Sequence, residues 1–109
     1  MNARREAILN ILREERQKKL EMTSAHVMKC WREWLKFGSE GPNMMSTAGM
    51  GTYTSLAVFT IWNSDCLPSD LQSIIDEAKE AGYGIQLAGN RSNVKIVDHR
   101  LRDEIEKMQ

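Results

Sequence analysis

The stretch that decides the fold covers residues 69–97 and reads SDLQSIIDEAKEAGYGIQLAGNRSNVKIV. Its first part has apolar residues at positions i, i+3, i+4 and i+7, namely Leu71, Ile74, Ile75 and Ala78. This period is that of an amphipathic helix, and it predicts a helix over residues 69–81. Ser69 and Gln72 have the spacing of a capping box, and Gly82 provides a left-handed stop.

A β-hairpin is predicted directly after this helix. Tyr83, Ile85 and Leu87 alternate with small or polar residues, residues 89–93 form a polar turn, and residues 94–97 return as a second apolar run. Asp98 is then a natural N-cap for a last helix whose apolar side carries Leu101, Ile105 and Met108.

A further strand is predicted before the helix, at residues 53–62 (YTSLAVFTIW). The run is rich in β-branched and aromatic residues and apolar on both alternating sides, which favours a central strand, although a short helix is an alternative at this length. Residues 53–97 therefore read strand, helix, strand, strand. If the first strand pairs in parallel with the hairpin, the helix crosses over one face of the sheet, and either a second N-terminal helix or the C-terminal tail must cover the other face.

Two helices are predicted at the N-terminus. The first covers residues 2–20 and carries the apolar residues Ile8, Leu9, Ile11 and Leu12; it is either docked by its first turns or projects as an arm for self-association. The second starts at Thr23 or Ser24 and ends near Phe37, with an apolar stripe formed by Val27, Cys30, Trp31, Trp34 and Leu35.

The predicted fold class is α+β, with a small three-stranded sheet, an N-terminal helical pair and a C-terminal helix. Residues 1–42 form a helical hairpin or arm, and residues 43–52 form a linker rich in Gly, Ser and Met. Residues 53–109 form the α/β core. At 109 residues the chain has room for about one hydrophobic core.

Composition and charge exclude several classes of function. The chain has 15 basic and 15 acidic residues, so no overall field attracts nucleic acid or a membrane. Residues 1–41 nevertheless carry nine basic and six acidic side chains, and the remainder carries six basic and nine acidic ones. The two cysteines have no metal or redox spacing, and neither a secretion signal nor a membrane-spanning run is visible, so we expect a cytoplasmic protein without membrane association.

The helix ending at Gly82 and the hairpin after it resemble the recognition helix and wing of winged-helix DNA-binding domains. With the last helix included, the segment also looks like the small docking domains at the ends of assembly-line synthases. The winged-helix resemblance implies that the hairpin turn, with Arg91 and Lys95, meets phosphates. The exposed side of the helix is acidic, however, which opposes its entry into a DNA groove; it carries Asp70, Asp76, Glu77 and Glu80.

Candidate reactive residues do not form a recognisable set. His26 and Cys30 are spaced for two ligands on one helix, but a metal site would need Cys66 and His99 to converge on them from distant segments. Cys66 precedes a helix N-terminus, where a thiol can be activated, yet Asp65 opposes its thiolate and no base is nearby in sequence. We therefore predict no metal, no cofactor and no enzymatic activity.

The sequence favours a small protein-interaction or regulatory module that binds a protein partner and forms a homodimer through its N-terminal helices. The predicted partner-binding residues are Ile8, Leu12, Trp31 and Trp34. The alternative is a winged-helix-like regulator that binds nucleic acid through basic residues of the first helix and the hairpin, namely Arg4, Arg5, Arg13, Arg16, Lys18, Lys19, Arg91 and Lys95.

Overall fold

The computed structural model describes residues 2–37, 53–54, 57–90 and 92–108. Its elements are α1 (Ala3–Phe37), β1 (Tyr53–Thr54), β2 (Val58–Trp62), a 3-10 turn (Asn63–Asp65), α2 (Pro68–Glu80), β3 (Gly84–Leu87), β4 (Asn93–Val97) and α3 (His99–Lys107). The predicted α+β class, the helix between a strand and the hairpin, the hairpin itself and the C-terminal helix are confirmed, and the sheet has a fourth strand, β1. The predicted linker at residues 43–52 lies outside the described residues.

The sheet is antiparallel throughout, with the strand order β1-β2-β4-β3. Residues 53–62 contribute two strands, not one, because Tyr53 pairs back onto Thr60. The expected parallel pairing of this region with the hairpin is wrong: β4 lies between β2 and β3 and is antiparallel to both. β2 and β3 are therefore parallel but not adjacent, so that α2 makes a split β-α-β crossover.

The N-terminal region is one helix, and the predicted break at Thr23 or Ser24 is wrong. The hydroxyl of Thr23 donates to the carbonyl oxygen of Lys19 at 2.9 Å, one turn back in the same helix. Ser24 is fully buried and bonds to a different helix. Neither hydroxyl therefore caps a new helix, although both residue types are common N-caps. α1 continues to Phe37.

The core lies between one face of the sheet and two helices, α2 and the C-terminal half of α1. Trp31 packs edge-on against Phe59 of β2, with ring centroids 5.6 Å apart, and Trp34 packs against Tyr83 at 5.5 Å. The same buried cluster includes Val27, Cys30, Ile61, Cys66, Ile74, Ala78 and Ile96. α1 and α2 thus cover the same face, the one that carries Phe59. Of the two candidates for the other face, the second N-terminal helix and the C-terminal tail, the first is therefore wrong.

The start of α2 differs from the prediction, whereas its end agrees with it. The predicted capping box does not form: α2 starts at Pro68, its N-cap residue Leu67 offers no side-chain bond, and Gln72 bonds to Asp76. At the other end, Gly82 has φ of +82°, and Tyr83 donates its N–H to the carbonyl of Ala78 at 3.0 Å, as in a Schellman stop. The predicted glycine stop is confirmed.

The C-terminal helix is placed against the edge of the sheet. Asp98 accepts a bond from the N–H of Leu101 at 3.1 Å, which confirms the predicted N-cap. The imidazole of His99 lies against Gly84 so closely that a Cβ at Gly84 would collide with it. Glycine at this position therefore allows α3 to approach β3.

Candidate functional site

The most unusual surface is the N-terminal half of α1, residues 3–19, which we call the arm. Every residue of the arm is exposed, and at 1.5 Å per residue it is about 25 Å long. Asn2 caps its start by accepting a bond from the N–H of Arg5 at 3.1 Å. The molecule is correspondingly elongated, with extents of 66 × 29 × 23 Å.

The arm carries four large apolar side chains within five residues, which we call the apolar patch. Their exposed fractions are 46% for Ile8, 37% for Leu9, 55% for Ile11 and 44% for Leu12. Each of these side chains therefore keeps a large apolar surface in water. Burial of that surface against a partner is favourable at roughly 25 cal/mol per Å².

The apolar patch does not point in the same direction as the buried side of α1. A helix turns about 100° per residue, so the centre of the patch lies about a quarter of a turn from the side that carries Ser24, Val27, Cys30, Trp31 and Trp34. A simple extension of the core along α1 would cover Leu9 and leave Ile8 and Ile11 uncovered. The first turns of α1 are not docked on the sheet, which corrects one of the two expectations for this helix.

Two of the predicted partner-binding residues are in the core. Trp31 is fully buried and Trp34 is 3% exposed; their rings stack with centroids 5.6 Å apart. The indole N–H of Trp31 also donates to the Glu77 carboxylate at 2.9 Å. In this structure only Ile8 and Leu12, of the four predicted residues, offer side-chain surface to a partner.

The basic residues of the nucleic-acid alternative are mostly on the arm. Arg4, Arg5, Arg13, Arg16, Lys18 and Lys19 are all exposed there, whereas Lys95 is exposed on β4 and Arg91 lies outside the described residues. The acidic side of α2 is less open than its sequence indicates. Glu77 bonds to Trp31 and Asp70 bonds to Ser24, which leaves Asp76 and Glu80 as its fully exposed carboxylates.

Ser24 joins α1 to the start of α2, a role that the sequence reading missed. Its hydroxyl donates to the Asp70 carboxylate at 2.6 Å and accepts the N–H of Leu67 at 2.8 Å. The N–H of Leu67, the N-cap residue of α2, is thus satisfied by a side chain from another helix. Nothing local in the sequence signals this contact, because the bonded residues are 43 and 46 positions away.

The two cysteines are neutral core thiols at pH 7. Burial, assisted by the nearby Glu33 carboxylate, raises the pKa of Cys30 to about 11, and the imidazole of His26 lies 3.6 Å from its sulfur. Burial is also the main reason that the pKa of Cys66 is raised, with a further contribution from Asp70 and Asp65; its contact with Ser24 acts in the opposite direction. Neither environment activates a nucleophile.

Metal binding and membrane insertion find no support in the part of the chain that the structure describes. Within it, no three His, Cys, Asp or Glu side chains are grouped so that they could hold a metal ion. His26 and Cys30 are neighbours, but Cys66 contacts Ser24 and His99 lies beside Gly84. Among the described helices, none has the length and apolar character needed to cross a bilayer.

Comparisons of the chain with family models, with curated proteins and with solved structures found no match. The fold and the exposed arm define a class only in structural terms, as a small α+β protein with a projecting helix. The physical chemistry of the arm therefore carries the functional argument.

Proposed function

We propose that this chain is a non-enzymatic interaction module that self-associates through the apolar patch of its arm. One observation carries the proposal: Ile8, Leu9, Ile11 and Leu12 are 37–55% exposed on a helix that otherwise presents polar and charged residues there. Contiguous apolar surface of this kind on a soluble domain marks an interaction site.

A second copy of the chain is the partner that fits the patch best. A two-fold interface places one patch against itself, so both sides must be apolar and of similar shape. The segment Ile8-Leu9-Asn10-Ile11-Leu12 meets this condition, since it is apolar and of similar bulk on either side of Asn10. The contact is small compared with standard interfaces, so we expect a dimer with a dissociation constant on the order of micromolar.

The buried chemistry supports a non-enzymatic role. The Ser24 hydroxyl is fully buried and held by two hydrogen bonds, and the two free cysteines have raised pKa values. Free thiols also fit a reducing cytoplasm, where we place the protein.

Sedimentation equilibrium over a range of protein concentration tests the proposal. We expect the wild-type mass to rise from monomer towards dimer, and Leu12→Asp to remain monomeric because it places a charge in the buried patch. Asn10→Asp is the matched control, since it adds the same charge on the side of the arm opposite the centre of the patch. A wild-type protein that stays monomeric up to about 1 mM overturns the proposal.

Nucleic-acid binding is the second candidate, favoured by the excess of basic side chains on the arm. Residues 3–19 hold six basic and three acidic residues, all exposed. Fluorescence anisotropy with a labelled generic duplex at low salt tests it. Binding must weaken steeply with salt and with the Arg5→Gln/Arg16→Gln variant, because phosphate contacts release counterions. The absence of binding at low salt excludes this candidate.

A further inference from the structure

We infer that two arms pair antiparallel, so that Arg4 of each copy lies beside Glu15 of the other. This pairing rests on the proposed self-association and gives it an orientation. It follows from the positions of the charged residues around the apolar patch and from the distance between the patch and the body of the protein.

Four charged residues border the two sides of the patch, and Lys19 lies in line with its centre. At about 100° per residue, Arg4 and Glu15 lie on one side of the patch, and Arg5 and Arg16 lie on the other side. The remaining acidic residues of the arm, Glu6 and Glu14, point to the back of the helix. Glu15 is therefore the one carboxylate of the arm that borders the patch.

An antiparallel pair brings together residues that lie on the same side of the patch. With the two-fold axis at the level of Asn10, Ile8 of one copy lies opposite Leu12 of the other, and Leu9 and Ile11 flank this contact. Arg4 then meets Glu15 at both ends of the patch. Arg5 and Arg16 also become neighbours, and both side chains are long enough to turn away from each other into water.

A parallel pair brings together opposite sides of the patch. Each residue then lies at the same height along the helix as the identical residue of the other copy. Arg4 would then meet Arg5, Lys19 would face Lys19, and the positive N-terminal ends of both helix dipoles would lie together. Glu15 would gain Arg16 as a neighbour, which offsets part of this repulsion. The antiparallel arrangement exchanges the Arg4–Arg5 contact for an Arg5–Arg16 contact, avoids the Lys19–Lys19 contact and sets the dipoles in opposite directions.

The length of the arm fits the antiparallel arrangement. Pairing about Asn10 places residue 3 of one copy opposite residue 17 of the other. α1 first becomes partly covered at Leu20 and fully buried at Ser24, so the partner arm ends before it reaches the body. The two bodies then lie at opposite ends of the paired arms and do not compete for space.

Two charge reversals on the full-length chain distinguish the orientations. Arg4→Glu and Arg16→Glu change the net charge by the same amount, so each is the matched control of the other. In the antiparallel dimer, Arg4→Glu places two carboxylates together and weakens dimerisation about fivefold, whereas Arg16→Glu creates a pair with Arg5 and strengthens it about as much. In a parallel dimer the effects are reversed: Arg4→Glu strengthens dimerisation and Arg16→Glu weakens it.

Sedimentation equilibrium of wild type, both single variants and Arg4→Glu/Glu15→Arg gives the result. We expect the double variant to recover most of the affinity that Arg4→Glu loses. Stronger dimerisation of Arg4→Glu, or equal effects of both reversals, overturns the antiparallel pairing while leaving self-association intact. A monomeric wild type instead overturns the proposed function itself, so the two failures are distinguishable.

Discussion

The two halves of α1 form one continuous helix, yet only the C-terminal half packs against the rest of the molecule. The C-terminal half places Ser24, Val27, Cys30, Trp31 and Trp34 in the core, whereas residues 3–19 are all exposed. The C-terminal half is held by tertiary packing. The arm depends on strong helix formers, the Asn2 cap and its continuity with a packed helix, which removes the cost of nucleation.

This difference shows that continuity of a helix does not mean continuity of its buried side. The apolar patch lies about a quarter of a turn from the core-facing side, so the arm has an apolar surface of its own. Variants in the buried half should therefore change the free energy of unfolding. Variants in the arm should change association and leave the monomer nearly as stable.

The largest effect is expected for Trp31→Ala, in the buried half. The change leaves a cavity beside Phe59 and Trp34 and leaves Glu77 without its indole donor, and we expect a loss of about 3–5 kcal/mol. Urea unfolding followed by circular dichroism measures it. Ile11→Ala in the arm is the comparison and should change the free energy of unfolding by less than about 0.5 kcal/mol at low protein concentration. Equal losses would show that the arm is part of the core.

Ser24→Ala tests the contact between α1 and α2. Both the N–H of Leu67 and the carboxylate of Asp70 lose their partner, so we expect a loss of about 2 kcal/mol. The adjacent variant Thr23→Ala removes a hydroxyl that bonds only within α1 and should cost less than about 0.5 kcal/mol. A Ser24→Ala protein as stable as Thr23→Ala contradicts the role given to Ser24.

The buried half should also make stability depend on alkaline pH. The folded state raises the pKa of Cys30 from 9.0 to about 11, so above pH 9 the unfolded chain releases a proton that the folded chain retains. This contribution is fully present below pH 9, should fall by about 1 kcal/mol between pH 9 and pH 10, and continues to fall until pH 11. The difference in slope between wild type and Cys30→Ala isolates this contribution. Identical slopes would mean that Cys30 ionises freely in the folded protein.

The smallest effect on folding is expected from the apolar patch itself. Ile8→Ala/Leu12→Ala removes side chains that are already about half exposed, so the unfolding of the monomer should change by less than about 0.5 kcal/mol. The same variant should lose dimerisation by at least about tenfold. Denaturation at low concentration and sedimentation at high concentration separate the two quantities. A large loss of monomer stability with unchanged association would reverse the assignment.

Local signals in the sequence were sufficient to predict much of the fold. The apolar period of α2, the glycine stop at Gly82, the alternating hairpin and the Asp98 cap each depend on residues a few positions apart. These features act within one element, so the sequence shows them directly. The exposed Ile8 and Leu12 were also visible as a short apolar group within a charged helix.

The features that the sequence did not reveal all depend on distant contacts. Thr23 and Ser24 have the residue types of an N-cap, but Ser24 is used by the start of α2, more than 40 residues away. Periodicity likewise does not determine which strands pair with each other, so it does not predict that β4 lies between β2 and β3. Trp31 and Trp34 are compatible with a core and with an interface, and although the core is the commoner place for tryptophan, only the position of the sheet against them decides between the two.

Hydrogen exchange along α1, measured by mass spectrometry at two protein concentrations, tests the division of this helix most directly. Amides of residues 24–34 should exchange slowly at both concentrations, because their opening requires global unfolding. Amides of residues 3–19 should exchange rapidly in the dilute monomer and become protected as the concentration rises through the dissociation constant. Protection of the arm that is already complete in the dilute protein, or that does not change with concentration, would contradict the account.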